Sequence, residues 1–316
     1  MAGACSVSSS HAAIILAFTL CTLGCQPKVT GPYISEAQAN AGNLSEAEQY
    51  ERHRESLKPR QAEPGGKRII FVGNSYTYSN NLPGLVEELA KASGHPRPLC
   101  ESVTLPGAAV EDHLLPGREK HPQAVRKGPW DYVIFQQGPS AKPESQQLLI
   151  DGMKRWAPIV KESGGKPAMF MVWPEERRKG AFVGVHKGYF DAAREIDGIF
   201  LPAGDAWFTV LNKTKSITLY SSDELHPTMV GTYLAGITIT SKLYDVSADK
   251  FPAKIEWRGG NKVDITSQDA AILFAAANDA VKKSAEAEKA VAPKAEPKAE
   301  PKVEPKVEPK AETKKK

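Results

Sequence analysis

Five short apolar runs, each closed by a turn or breaker residue, alternate with segments of helical spacing, and this alternation constrains the fold most. The runs are Arg68-Ile-Ile-Phe-Val-Gly73, Leu99–Thr104, Asp131-Tyr-Val-Ile-Phe135, Ala168-Met-Phe-Met-Val-Trp173 and Ile199-Phe-Leu201. Between the first two, Leu82, Leu85, Val86, Leu89 and Ala90 recur at i, i+3, i+4, i+7 and i+8, the period of a helix with one buried face. Helical patterns also fall near 144–163 and 187–197, and Val230, Tyr233, Leu234 and Ile237 mark another. Strands apolar on both faces belong in a parallel sheet covered by helices on each side. The expected class is α/β, a three-layer α/β/α sandwich with a five-stranded, mostly parallel, flavodoxin-like sheet. Lys254-Ile-Glu-Trp and Lys262-Val-Asp-Ile flank Arg258-Gly-Gly-Asn261, which predicts a small appended hairpin before a last helix near 267–282.

The two ends have a different character. Ala12–Gly24 is an uncharged run of 13 residues. As a helix it would reach roughly 20 Å, short of a bilayer core of about 30 Å, which suits the apolar region of a signal peptide over residues 1–24. Thr22-Leu-Gly-Cys25 resembles a bacterial lipoprotein signal. That resemblance implies an acylated Cys25 as first mature residue, a membrane partner through the lipid anchor, and an exported protein of the cell envelope. Residues 25–66 are polar and read as a flexible tether, with at most a short helix where Ser45 and Glu48 form a capping box. Pro293–Pro309 repeats proline every four residues with little to bury, so 283–316 reads as a disordered Lys/Pro/Glu/Ala-rich tail. The folded domain is then 67–282.

The net charge of +4 lies in that tail, where eleven lysines oppose seven glutamates from Lys282 onward. A near-neutral folded part argues against a nucleic-acid partner, which needs a basic stripe on folded surface. Cys5 and Cys21 fall in the segment expected to be removed, leaving Cys25 and Cys100. No disulfide framework and no zinc-ligand spacing follow, and Cys100 reads as a small core residue.

In an open parallel sheet, ligands bind beyond the C-terminal strand ends. There the chain places Gly73-Asn-Ser-Tyr-Thr77 after the first strand, Gly107 after the second and Gln136 after the third, with Asp223-Glu-Leu-His-Pro227 ahead of a later helix. A serine hydroxyl needs an imidazole to remove its proton, and the imidazole needs a carboxylate to hold its tautomer. Ser75, His226 and Asp223 supply that set. The N–H groups of Ser75 and Gly107 and the Gln136 amide are candidate donors to an oxyanion. Plainer roles stand beside these: Ser75 as a helix cap, His226-Pro227 as a helix start, Gly107 as a turn glycine and Gln136 as a satisfied strand-end amide. His95, His113, His121 and His186 show no ligand spacing and read as surface or loop residues, while Trp173 and Trp207 read as core or rim packing.

Gly73–Thr77 resembles the first block of the SGNH (GDSL-type) serine esterases, with Asn74 where Asp is common, and Asp223–Pro227 resembles the last. The likeness spans about residues 68–245. It implies Ser75 as nucleophile, Asp223 and His226 completing a triad, Gly107 as the second-block oxyanion glycine, and no metal or other cofactor. The third block, Asp131–Ser140, offers Gln136 or Gln137 where the family has Asn, and a GNSYT-like subgroup implies Gln136. The expected activity is hydrolysis of a carboxylic ester, an acyl or acetyl ester of a glycan or lipid. The alternative is an inactive glycan- or wall-binding lipoprotein that keeps only the fold.

Overall fold

A computed structural model of the chain describes residues 60–291. The signal segment, Cys25, most of the tether and the repeat tail lie outside them. The elements run β1 (Arg68–Gly73), α1 (Ser75–Tyr78), α2 (Leu82–Ala92), β2 (Leu99–Thr104), α3 (Lys120–Arg126), β3 (Tyr132–Phe135), α4 (Pro143–Ser163), β4 (Lys166–Phe170), α5 (Phe182–Glu195), β5 (Ile199–Leu201), α6 (Ala203–Lys213), α7 (Met229–Tyr244), β6 (Lys254–Trp257), β7 (Asn261–Asp264) and α8 (Ser267–Val291).

The five-stranded sheet has the order β2-β1-β3-β4-β5, and every pair is parallel. β1 lies between β2 and β3, and Ile69, Ile70, Phe71 and Val72 are buried on both faces. Helices cover both sides, α4 packing beside α5, and α2 beside α7. Leu82, Leu85, Val86 and Leu89 give α2 the buried stripe its spacing predicts. The order reverses between β1 and β3, so the crevice where such sheets take ligands opens beside Gly73, Thr104 and Phe135.

Three boundaries differ from the sequence expectation. Arg60 Nη1 reaches the buried Glu87 carboxylate at 2.5 Å, and the Glu63 N–H donates to the Arg97 carbonyl at 3.0 Å, so the end of the expected tether is bound to the domain. The last helix runs to Val291 rather than 282. Its final turns, Lys-Ser-Ala-Glu-Ala-Glu-Lys-Ala-Val, are rich in strong helix formers, and Ala280 and Ser284 are still buried. Helix α6 follows β5, where the sequence pattern predicts none. The hairpin β6–β7 forms as expected, with Trp257 opposite Asn261.

Candidate active site

The Asp223–Pro227 loop is closed on itself before it meets anything else. Tyr220 bridges Pro227, and the Ser221 N–H donates to the His226 carbonyl at 2.8 Å. Asp223 Oδ1 accepts from the Ser221 hydroxyl at 2.7 Å, the Leu225 N–H at 3.0 Å and the His226 N–H at 2.9 Å. Its other oxygen, Oδ2, accepts from His226 Nδ1 at 2.5 Å. Partial burial works to raise the Asp223 pKa, but the hydrogen bonds from His226, Ser221 and the loop N–H groups hold it well below the usual carboxylate range. A charged Asp223 fixes the proton of neutral His226 on Nδ1, leaving Nε2 with its lone pair. Nε2 is shielded from solvent and has no hydrogen-bond partner among the described residues. The turn requires Glu224 in the left-handed region at φ 58°, and the Glu224 carbonyl accepts from the Glu176 N–H at 2.8 Å.

The nucleophile candidate stands just beyond the end of β1. Asn74 caps α1 through its side chain, which accepts from the Tyr76 N–H at 3.1 Å, so Asn74 rather than Ser75 does the capping. Ser75 is half-buried at the first helical position, and its hydroxyl makes no hydrogen bond among the described residues. Among the described residues, the N–H groups of Ser75 and Gly107 likewise have no protein acceptor. Gly107 is exposed at φ 66°, and a Cβ there would meet nothing, so the backbone angle rather than space calls for glycine.

The two loops, distant in sequence, are tied together. Asn80 Nδ2 donates to the Pro227 carbonyl at 3.0 Å and to Thr232 Oγ1 at 2.9 Å, across 147 and 152 positions. The Tyr76 ring lies 6.2 Å from the His226 ring, centroid to centroid. Tyr76 OH donates to the Trp173 carbonyl, and Trp173 Nε1 to the Leu225 carbonyl at 3.1 Å. The hairpin braces the same corner, since Trp257 Nε1 donates to the Asn80 carbonyl at 2.7 Å. Among the described residues the Ser75 hydroxyl and His226 Nε2 are thus two groups without a hydrogen-bond partner, carried on segments that these contacts hold together.

Gln136 departs from the sequence expectation. It is 1% exposed, and both protons of Nε2 are already donated, to Asn74 Oδ1 and to the Gln137 carbonyl, each at 2.7 Å. As arranged it has no proton for an oxyanion, and the plainer reading, a satisfied strand-end amide, is the one the geometry supports. Gln137 is buried too, with Oε1 accepting from the Val110 N–H and Nε2 donating to Ser140 Oγ.

Two histidine readings also change. His113 is fully buried rather than on the surface, with Nδ1 2.9 Å from His121 Nδ1, and burial together with the neighbouring His121 pushes its pKa down to about 4. His186 pairs with Asp205, Nδ1 to Oδ2 at 2.9 Å. Trp173 and Trp207 are buried and stacked, ring centroids 3.5 Å apart, as packing residues. Cys100 is buried and free, and Cys25 lies outside the described residues. The braces Tyr76, Asn80 and Trp257 were not anticipated. Asn80 carried a weak signal, as one of two successive asparagines ahead of a helix start, and asparagine readily takes the left-handed conformation found there, φ 54°.

No protein-family model matches the sequence, and no curated protein is similar to it at a significant level. Solved structures do share the fold. A DUF4886 family protein from Bacteroides uniformis superposes with a TM-score of 0.56 at 15% identity, over 69% of this chain and 95% of that one. A protein from Slackia heliotrinireducens, provisionally described as an SGNH hydrolase, gives 0.48 at 20% identity over 56% and 98% of the two chains. A lipase/acylhydrolase from Enterococcus faecalis gives 0.46 at 16% identity over 59% and 97%. At 15% identity the likeness to the Bacteroides uniformis protein is one of fold, the α/β architecture described above.

Proposed function

We propose that this chain is a serine hydrolase of the SGNH type that cleaves a carboxylic ester through an acyl-Ser75 intermediate. The observation that carries the reading is the Asp223–His226 pair: four hydrogen bonds hold the carboxylate, Nε2 has no partner among the described residues, and the loop is held to the segment that follows Ser75 by Asn80 and Tyr76. In the first half-reaction, Nε2 takes the Ser75 proton as Oγ attacks the ester carbonyl. The resulting oxyanion lies against the N–H groups of Ser75 and Gly107, each such donor contributing about 3–4 kcal/mol to related transition states. Collapse expels the alcohol, which leaves with the proton from His226. A water then repeats the sequence on the acyl-enzyme, releasing the acid and restoring Ser75.

The substrate class in this reading is an acyl or acetyl ester of a glycan or lipid, in a protein exported to the bacterial envelope and anchored at Cys25. The support for that location is the sequence of residues 12–25 alone. The test is hydrolysis of p-nitrophenyl acetate by the parent and by Ser75→Ala. Turnover by the parent and its loss in the variant support the proposal; equal turnover by both refutes Ser75 as nucleophile. Retention on a glycan with no turnover of any ester would instead favour a binding protein that keeps only the fold.

A further inference from the structure

We infer that Gln136 is a positioning residue that acts through Asn74, locking the nucleophile turn to the loop that carries Gly107 and leaving the oxyanion site to backbone N–H groups. The inference rests on the hydrolase reading. Its basis is a chain of amide hydrogen bonds across three adjacent strand ends. From the end of β3, Gln136 Oε1 accepts from the Asn74 N–H at 3.1 Å and the Thr77 hydroxyl at 2.8 Å, while Nε2 donates to Asn74 Oδ1 at 2.7 Å. From the end of β1, Asn74 Nδ2 donates to the Ala108 carbonyl at 2.9 Å, in the loop after β2 and next to Gly107. Asn74 is 2% exposed, so neither side chain exchanges these partners with water.

The arrangement has little room for substitutes. A Cβ on Gly73 would lie 2.5 Å from Gln136 Oε1, so position 73 admits no side chain while the clamp is in place. The amides occupy the N–H groups on either side of Ser75, those of Asn74 and Tyr76, and leave the Ser75 N–H unclaimed. That selectivity is what an oxyanion donor in the backbone requires. Asn74 must be an amide for the last link. An aspartate there could accept from Gln136 and Tyr76 but could not donate to the Ala108 carbonyl, and two oxygens would face each other at the Gly107 loop. The Asn at position 74 is therefore required by the Ala108 carbonyl of the Gly107 loop, the last link of the clamp.

The test is a double-mutant cycle in the full chain with Asn74→Asp, Gln136→Met and the two combined, read as kcat and KM on p-nitrophenyl acetate. A misplacement near 1 Å costs about 10²-fold, so each single variant is expected to lose about that factor in kcat with KM within about twofold. Because both act through one chain of bonds, the double variant is expected to lose about 10²-fold as well. A double variant near the product of the two losses, about 10⁴-fold, would show independent roles and overturn the inference. If either variant fails to fold, the parent phosphonylated at Ser75 decides the matter by crystallography. Gln136 Nε2 still bonded to Asn74 and Gln137 supports the clamp, and Nε2 within hydrogen-bond reach of the phosphonyl oxygen refutes it. Failure of the hydrolase reading has a separate signature, an enzyme indifferent to Ser75→Ala.

Discussion

Asp223→Asn isolates the charge and the tautomer from the shape of the loop. In the parent, Oδ1 accepts from three loop donors and Oδ2 accepts from His226 Nδ1. The variant amide has one oxygen, and three donors compete for it at the Oδ1 position against one at Oδ2. The oxygen therefore stays with the loop, and the NH2 turns toward the ring. Nδ1 must then accept, which moves the ring proton to Nε2, where it blocks removal of the Ser75 proton. This inversion in a Ser-His-Asp triad lowers kcat by about 10⁴. At 1.36 kcal/mol per tenfold, that is about 5 kcal/mol of transition-state stabilisation. Three of the four bonds persist, so unfolding stability is expected to fall by no more than about 1–2 kcal/mol. The assay is kcat on p-nitrophenyl acetate beside a thermal melt. A variant within tenfold of the parent would refute the assigned role of Asp223, and a collapsed melt would show that the loop, not the tautomer, was lost.

The remaining predictions concern the loop and a second histidine pair. Glu224 sits at φ 58°, so Glu224→Val is expected to lower the melting temperature by the equivalent of about 1–2 kcal/mol while Glu224→Gly leaves it unchanged or raises it; a melt in the opposite order would remove the strained turn from the account. In the parent, the depressed pKa of Asp223 contributes stability above its unfolded value near 4 that is lost as pH falls, and Asp223→Asn should flatten that acid limb of a denaturant titration. His186 is raised, first by its hydrogen bond to Asp205 and against the opposing effect of burial. That pair should stabilise the fold below about pH 6.5 and lose its contribution as pH rises through the higher folded value. A stability difference between the parent and His186→Gln that does not shrink toward alkaline pH would contradict it.

What could be read from the sequence, and what could not, follows the range of the interactions concerned. Strand runs such as Arg68–Gly73 announce themselves because burial on both faces leaves a local apolar signature. Asp223 and His226 do so because three residues bring them onto one turn. The state of Gln136 depends on Asn74, 62 positions away, and no local pattern reports whether an amide proton is free or spent. His113 is buried in a single turn of tight helix, too short to show a period. Lys282–Val291 carries the composition of the tail, yet alanine, glutamate and lysine favour helix as much as solvation, and packing of Ala280 and Ser284 decides the outcome. Helix α6 is masked for a related reason, since Pro202 and Gly204 suggest a turn where close approach of Gly204 to the Val172 carbonyl is what seats the helix.

The central claim, a hydroxyl at position 75 activated by the imidazole of His226, is tested most directly by mapping a covalent adduct. The full chain treated with a fluorophosphonate and digested should carry one phosphonyl group, on Ser75, and the adduct should disappear in His226→Ala as well as in Ser75→Ala. An adduct on another residue, or labelling of Ser75 that proceeds at the parent rate without His226, would contradict the account.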